Sequence, residues 1–147
     1  MSGFRWSGKV ALVTGANSGI GAAITRRLLK LGLNVVALDC NIDDIKEWAT
    51  QGECCGQLYP KLCDLCHEND ILEMFRWIET CLGGVDVLVN NAGITGQNSL
   101  IDGSPDEWRH LLEVNVVALC LCTKEAVASM QRRNVNDGHI FNLSRSV

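Results

Sequence analysis

Residues 14–21 read Thr-Gly-Ala-Asn-Ser-Gly-Ile-Gly, directly after the apolar run Lys9 to Val13 and directly before an amphipathic helical pattern. A glycine-rich turn between a strand and a helix is a device for binding phosphate. Gly15, Gly19 and Gly21 are spaced so that one permits the tight turn, one lets the backbone approach a pyrophosphate, and one lets the helix pack closely on its strand. The first-turn amides of that helix have no intrahelical acceptor, and the helix dipole favours negative charge at its start. These residues form a site for an anion.

The remaining composition limits what such a site can serve. With 147 residues, 47% apolar and 20% charged, the chain suits one globular domain over 1–147, burying roughly 70% of its unfolded surface. A net charge of -4 with no basic stripe argues against nucleic acid. Arg26, Arg27, Lys30, Arg132 and Arg133 read as solvated helix faces and ends. Met1 to Lys9 has no apolar core of a cleavable signal, and no run approaches the ~20 apolar residues of a membrane span, so the expected setting is cytoplasmic. Eight cysteines include Cys63-x-x-Cys66 and the adjacent Cys54 and Cys55. A structural zinc needs two ligand pairs on accessible loops. Cys63 falls at a strand end, while Cys40, Cys81, Cys120 and Cys122 occupy positions suited to a small apolar residue. Free thiols and no metal are expected.

The elements that must position the glycine turn alternate along the chain. Ile20, Ile24, Leu28 and Leu31 recur at helical spacing and Gly32 stops that helix. Asn34 to Asp39 reads as a buried second strand, followed by a short helix that Asn41 can cap. Gln57 to Cys63 reads as a third strand, Ile71, Phe75, Ile78 and Leu82 as a helix face, and Val85 to Val89 as a fourth strand. Ser104-Pro105-Asp106-Glu107 is a helix start with an N-cap, a proline at the first helical position and a closing capping box. That helix should run to about Arg133, before Asp137-Gly138 turns the chain into a fifth strand, His139 to Leu143. Alternating strands and helices predict an α/β, Rossmann-type doubly wound parallel sheet, truncated after the fifth strand, with order 3-2-1-4-5. The crevice should lie at the carboxyl ends of strands one and four.

TGANSGIG, Asn90-Asn-Ala-Gly93, the Asp64-Leu65 pair after strand three and Asn115 in the long helix together resemble the short-chain dehydrogenase/reductase family. The stretch Asn134-Val-Asn-Asp-Gly-His-Ile140 resembles its dehydrogenase/reductase member 11 and insect farnesol-dehydrogenase-like branch. The resemblance implies that Gly15, Ser18, Gly19, Ile20 and Gly21 hold the pyrophosphate, with Asn17 also among the cofactor-binding residues. It also implies that Asp64 and Leu65 lie at the adenine and that Asn90, Ala92 and Gly93 lie under the nucleoside. Asn115 would sit in the catalytic site, where the family uses it to hold a water in a proton relay. The implied partner is a small-molecule hydrophobic alcohol or ketone, and complete family members are homo-oligomers.

Coenzyme choice follows from charge. Asp39 ends strand two, where a carboxylate accepts hydrogen bonds from both ribose hydroxyls and repels a 2′-phosphate. The places where NADP-using relatives carry a basic residue hold Cys40, Asn17 and Ser18. NAD is therefore favoured, with NADP as the alternative.

The family's proton donor is a tyrosine in a YxxxK motif on the helix after strand five, its phenol acidified from about 10 by the neighbouring lysine. The chain carries one tyrosine, Tyr59, predicted in strand three on the adenine side. The family's serine position corresponds to Arg145, flanked by Ser144 and Ser146. Strand side chains alternate in direction, so either serine reaches the site only if a bulge corrects the register. Two functions remain open: an oxidoreductase represented by a piece lacking its tyrosine and lysine, or a non-catalytic dinucleotide-binding or interaction module. Strand five as an open edge, with Leu111, Leu112, Val116, Leu119 and Leu121 short of cover, should favour association.

Overall fold

The computed structural model describes residues 5–49 and 55–144. Five strands, β1 (Val10–Thr14), β2 (Asn34–Asp39), β3 (Leu58–Leu62), β4 (Val87–Asn90) and β5 (His139–Asn142), pair in parallel in the order β3-β2-β1-β4-β5. The connecting helices are α1 (Gly19–Lys30), α2 (Asp43–Ala49), α3 (Glu68–Leu82), α4 (Pro105–Leu112) and α5 (Ala118–Arg132). The predicted sheet order and doubly wound architecture are those observed.

Strand periodicity sorts the core into two layers. Val10, Leu12, Val36, Leu38 and Leu88 face α3 and α5, meeting Ile71, Phe75, Ile78, Cys122 and Ala126. Their neighbours Ala11, Val13, Val35, Ala37, Val87 and Val89 face the other way, onto Leu29 of α1 and Ile45 of α2. Because a parallel sheet is covered on both faces, its strands read as continuous apolar runs. Burying each Val or Leu side chain stabilises the fold by about 1.5–3 kcal/mol.

Local signals set the element ends. The Asn41 Oδ1 accepts the Asp43 N–H at 2.8 Å, and the Ser104 Oγ accepts the Glu107 N–H at 3.3 Å with Pro105 opening α4. The long helix expected to run unbroken to Arg133 is instead divided. Residues Glu113–Val117 form a π-helical turn between α4 and α5. Glu-Val-Asn-Val-Val is poor in strong helix formers, and the Asn115 side chain is engaged outside the helix, as described below.

β4 starts at Val87 rather than Val85, although the Asp86 main chain still bonds both neighbouring strands, donating to the Val10 carbonyl at 2.9 Å and accepting the His139 N–H at 3.1 Å. The Val85 N–H donates to the Ser129 Oγ at 3.1 Å. Buried Asp86 accepts the Val10 N–H on Oδ2 at 2.8 Å and pairs through Oδ1 with the Arg133 guanidinium at 2.9 Å. One carboxylate thus joins the start of β1 to the end of α5.

The cysteines divide differently from expectation. Cys63 and Cys122 are buried, but Cys40, Cys81 and Cys120 are exposed. On α5 the reason is helical phase, since Ala118, Cys122 and Ala126 take the sheet-facing stripe and Cys120 points away from it. Cys54 lies outside the described residues. Among the described residues no three His, Cys, Asp or Glu side chains gather as a metal ligand set. Among them, too, no helix is long and apolar enough to cross a membrane. Leu112 and Val116 are exposed, at 58% and 48%, while Leu111, Leu119 and Leu121 are half-buried.

Two measurements check this account. Asp86→Ala leaves the Val10 amide without its acceptor and the partly buried Arg133 guanidinium with the Val85 carbonyl in place of a carboxylate, and should lower stability in urea unfolding by about 3 kcal/mol; Asp86→Asn, which keeps an acceptor, should lower it less. Burial pushes the Cys63 and Cys122 thiols up to about 12 from the ordinary 9.0. The fold keeps both protonated where the unfolded chain ionises, so their contribution is complete below 9.0 and declines as pH rises from there toward 12. Cys122→Ala should flatten that alkaline decline.

Candidate functional site

A cavity of about 440 Å³ opens at the carboxyl ends of the strands. Its floor comes from the turn after β1, its walls from the ends of β2 and β3 and the segment Asn91–Ile94 after β4, and its far side from His110 and Val114. This is the crevice at which the strand order reverses.

The glycine turn presses hard on its surroundings. Gly15 has φ 65°, and a Cβ there would sit 2.9 Å from the Ala92 Cα. A Cβ on Gly21 would sit 2.1 Å from the Gly15 carbonyl oxygen. Gly19 is the opposite case: φ is 54° and nothing lies within 4 Å of where its Cβ would be. Two glycines close the turn against protein, and one leaves an open face toward the cavity. Ser18 is the extended N-cap of α1, but its hydroxyl makes no capping bond. The first-turn amides therefore remain directed at the cavity that Ser18, Gly19 and Ile20 line.

What holds this turn against β4 is a pair of residues that the sequence reading did not single out. The buried Thr14 Oγ1 accepts the N–H groups of Asn91 and Ala92, at 3.1 and 3.0 Å, and donates to the Val89 carbonyl at 3.4 Å. The Asn91 Nδ2 donates to the Thr14 and Gly15 carbonyls, both at 3.0 Å. A clue was present, because Thr14 directly follows the first predicted strand and Asn91 lies two residues past the fourth, its neighbour in the predicted order.

Asp39 stands at the cavity edge with its carboxylate oriented by main-chain donors. Its Oδ2 accepts the Asn17 N–H at 3.0 Å and its Oδ1 the Asn41 N–H at 3.4 Å. The Asn17 side chain does not line the cavity; its Oδ1 accepts the Ile45 N–H at 3.0 Å and its Nδ2 donates to Asp44 Oδ2 at 3.3 Å.

Beyond β3, Asp64 and Leu65 line the cavity as expected, joined by Cys63 and Cys66. The Cys66 N–H, donated to Asp64 Oδ1 at 2.9 Å, holds the Asp64 carboxyl below its usual range. The Cys66 Sγ lies 3.4 Å from the His110 Nδ1, closing that end of the cavity. Across the opening, the Asn98 side-chain amide, with the Gln97 and Ser104 N–H groups, holds Glu107 below its ordinary value and ties the loop 97–98 to α4.

Ala92 and Gly93 line the cavity, whereas Asn90 is buried behind it, its Nδ2 donating to Thr123 Oγ1 at 3.1 Å and Asn142 Oδ1 at 2.9 Å. Asn115 sits in the π turn and pairs twice with one residue. Its Oδ1 accepts the Ile94 N–H and its Nδ2 donates to the Ile94 carbonyl, both at 2.8 Å. Ser144 is exposed just past β5, and Arg145 and Ser146 lie outside the described residues.

The model of the short chain dehydrogenase family matches residues 9–146. The chain belongs to that family. It is 46% identical over 143 residues to dehydrogenase/reductase SDR family member 11 of Gallus gallus, covering 95% of this chain and 56% of that protein. It is 45% identical over 148 residues to farnesol dehydrogenase of Aedes aegypti, covering 97% and 59%. Among solved structures it superposes on a metagenomic short-chain oxidoreductase in complex with NADP at TM-score 0.86 and 35% identity, covering 97% of this chain and 64% of that one. The chain thus spans a little over half the length of these curated relatives.

In this short-chain dehydrogenase chain the single tyrosine is remote from the cavity. The Tyr59 hydroxyl donates to Gln57 Oε1 and its ring meets Trp77 edge-on at 5.8 Å, on the face where α3 packs. The geometry can hold an elongated anionic ligand, with backbone amides at one end and carboxylates at the edge.

Thr14→Val keeps the shape but removes the hydroxyl that serves two amides, and should lower stability by about 2 kcal/mol in urea unfolding. Thr14→Ser, which keeps the hydroxyl, should lower it less, and a loss in Val no greater than in Ser would mean that the seam does not rest on this oxygen.

Proposed function

We propose that the cavity binds a nicotinamide adenine dinucleotide, NAD in preference to NADP. We also propose that these 147 residues bind it without turning over substrate unaided. The observation that carries the reading is a cradle open at Gly19 whose rim carries Asp39, with no lysine or arginine among the described lining residues. The pyrophosphate lies along Gly15, Ser18, Gly19, Ile20 and Gly21, with Asn17 behind it. The adenine lies at Asp64 and Leu65 and the nucleoside over Ala92 and Gly93, with Asn90 stiffening the strand beneath. The fit is supported by close packing at Gly15 and Gly21, where a side chain would displace the turn.

Asp39 Oδ2 keeps an acceptor lone pair beside its bond from Asn17, while Oδ1 holds two long bonds, from the Asn41 N–H at 3.4 Å and the Cys40 thiol at 3.5 Å, the weaker of which a ribose hydroxyl can replace. The carboxylate is thus suited to the ribose hydroxyls, and a 2′-phosphate there meets a carboxylate without a neutralising cation. This contrasts with the NADP held by the metagenomic relative.

The bound dinucleotide supplies the hydride acceptor or donor. In a polypeptide of the relatives' length, the reaction is oxidation of a hydrophobic alcohol or reduction of the matching ketone, a class supported by the farnesol dehydrogenase likeness. Asn115 contributes to the catalytic site; Ser144 and Ser146 remain alternatives for the hydroxyl partner. Binding without turnover is supported by the remoteness of Tyr59 from the cavity. Exposed Leu112, Val116 and Val117 support self-association.

Isothermal titration with NAD and NADP tests the reading. NAD should bind the wild type more tightly. Asp39→Ala should weaken NAD about tenfold or more and narrow the gap between the two. Tighter NADP binding by the wild type overturns the coenzyme assignment, and turnover of any member of an alcohol panel overturns binding without chemistry.

A further inference from the structure

Asn17 stands in the middle of the glycine turn, but its side chain is committed elsewhere. Its carboxamide reaches α2, which belongs to a different part of the chain. The Ile45 amide is the third of that helix and has no intrahelical acceptor. The Asn17 Oδ1 supplies one at 3.0 Å, while Asn41 Oδ1 serves the Asp43 amide at 2.8 Å. The Asn17 Nδ2 also holds the Asp44 carboxylate at 3.3 Å, and its own N–H holds Asp39 Oδ2 at 3.0 Å. Three polar groups of one residue thus tie together the phosphate turn, the end of β2 and the start of α2.

We infer that Asn17 is a positioning residue for coenzyme selectivity, acting through Asp39 and not by touching the dinucleotide. The inference rests on the dinucleotide reading above. The bond from Asn17 to Asp39 is made by the main chain, so any residue other than proline could form it. Its direction depends on where the turn sits, and the side chain sets that by anchoring the turn on Ile45 and Asp44. If the anchor is lost, Asp39 Oδ2 loses its one donor among the described residues and the carboxylate is held through Oδ1 alone, by the long Asn41 and Cys40 bonds, which lets it turn from the cavity edge. The same loosening releases Asp44, a second negative charge held beside the turn. Both changes reduce the preference for ribose hydroxyls over a 2′-phosphate. A residue that only stabilised the fold would weaken both coenzymes alike.

A double-mutant cycle read by isothermal titration with NAD and NADP tests this on Asn17→Ala, Asp39→Ala and the double variant. Asn17→Ala should lower the ratio of NAD to NADP affinity by about tenfold, with Asn17→Ser intermediate. In the Asp39→Ala background the same substitution should change the ratio by less than about twofold, because coupled residues are not additive. An unchanged ratio in both Asn17 variants overturns the inference, and an equal drop in both backgrounds overturns action through Asp39. Amide exchange on the wild type gives a check that needs no variant: the Ile45 amide should be protected, and free exchange there refutes the anchor. Failure of the wild type to bind either coenzyme, with Ile45 protected, sinks the underlying coenzyme reading and leaves the anchor as a feature of the fold alone.

Discussion

The site depends on how closely two backbone turns approach each other. The turn after β1 and the turn after β4 meet where a Cβ on Gly15 would lie 2.9 Å from the Ala92 Cα. Such contact leaves main-chain polar groups with little access to water, so each needs a partner inside the protein. Thr14 and Asn91 provide those partners from opposite sides, each serving the other's backbone. The shape of the glycine turn is therefore a property of the seam between two parallel strands. The amides that face the cavity keep their direction because the carbonyls behind them are held.

A second consequence of this geometry is electrical. The cavity opens at the carboxyl ends of the strands, where α1 begins and its dipole is positive. Its rim, formed by Asp39 and Asp64, is negative. A ligand that suits both ends carries phosphate in the middle and neutral hydroxyls or ring nitrogens at the edge. Burial acts on the same wall through Cys63, which it keeps as a neutral thiol, so this strand end adds no further charge.

Much of the fold was legible in the chain. Apolar runs of strand length alternating with amphipathic helices, and the caps at Asn41 and Ser104, specify elements that need no partner to be recognised. The site was less legible because its bonds join residues far apart in sequence. The glycines, Asp39, Asp64 and Leu65 could be named from spacing, but the brace formed by Asn91 and Thr14 spans 77 positions. The break in the long helix was missed for the same reason. The weak helix formers of Glu-Val-Asn-Val-Val do not indicate that Asn115 pairs with Ile94 across 21 positions, the bond that accompanies the π turn there. The exposed thiols of Cys81 and Cys120 are a further case, because helix periodicity tells which residues share a stripe and not which stripe meets the sheet.

The sequence alone determined the succession of strands and helices, the place of the glycine turn and the charge at the end of β2, because these follow from local periodicity, glycine geometry and residue type. Tertiary structure alone decided that Asn17 faces α2, that Asn90 lies behind the cavity and that Tyr59 lies on the α3 face, away from it. Those outcomes depend on which hydrogen-bond acceptor is nearest once the sheet has assembled, and that distance exists only in the folded molecule.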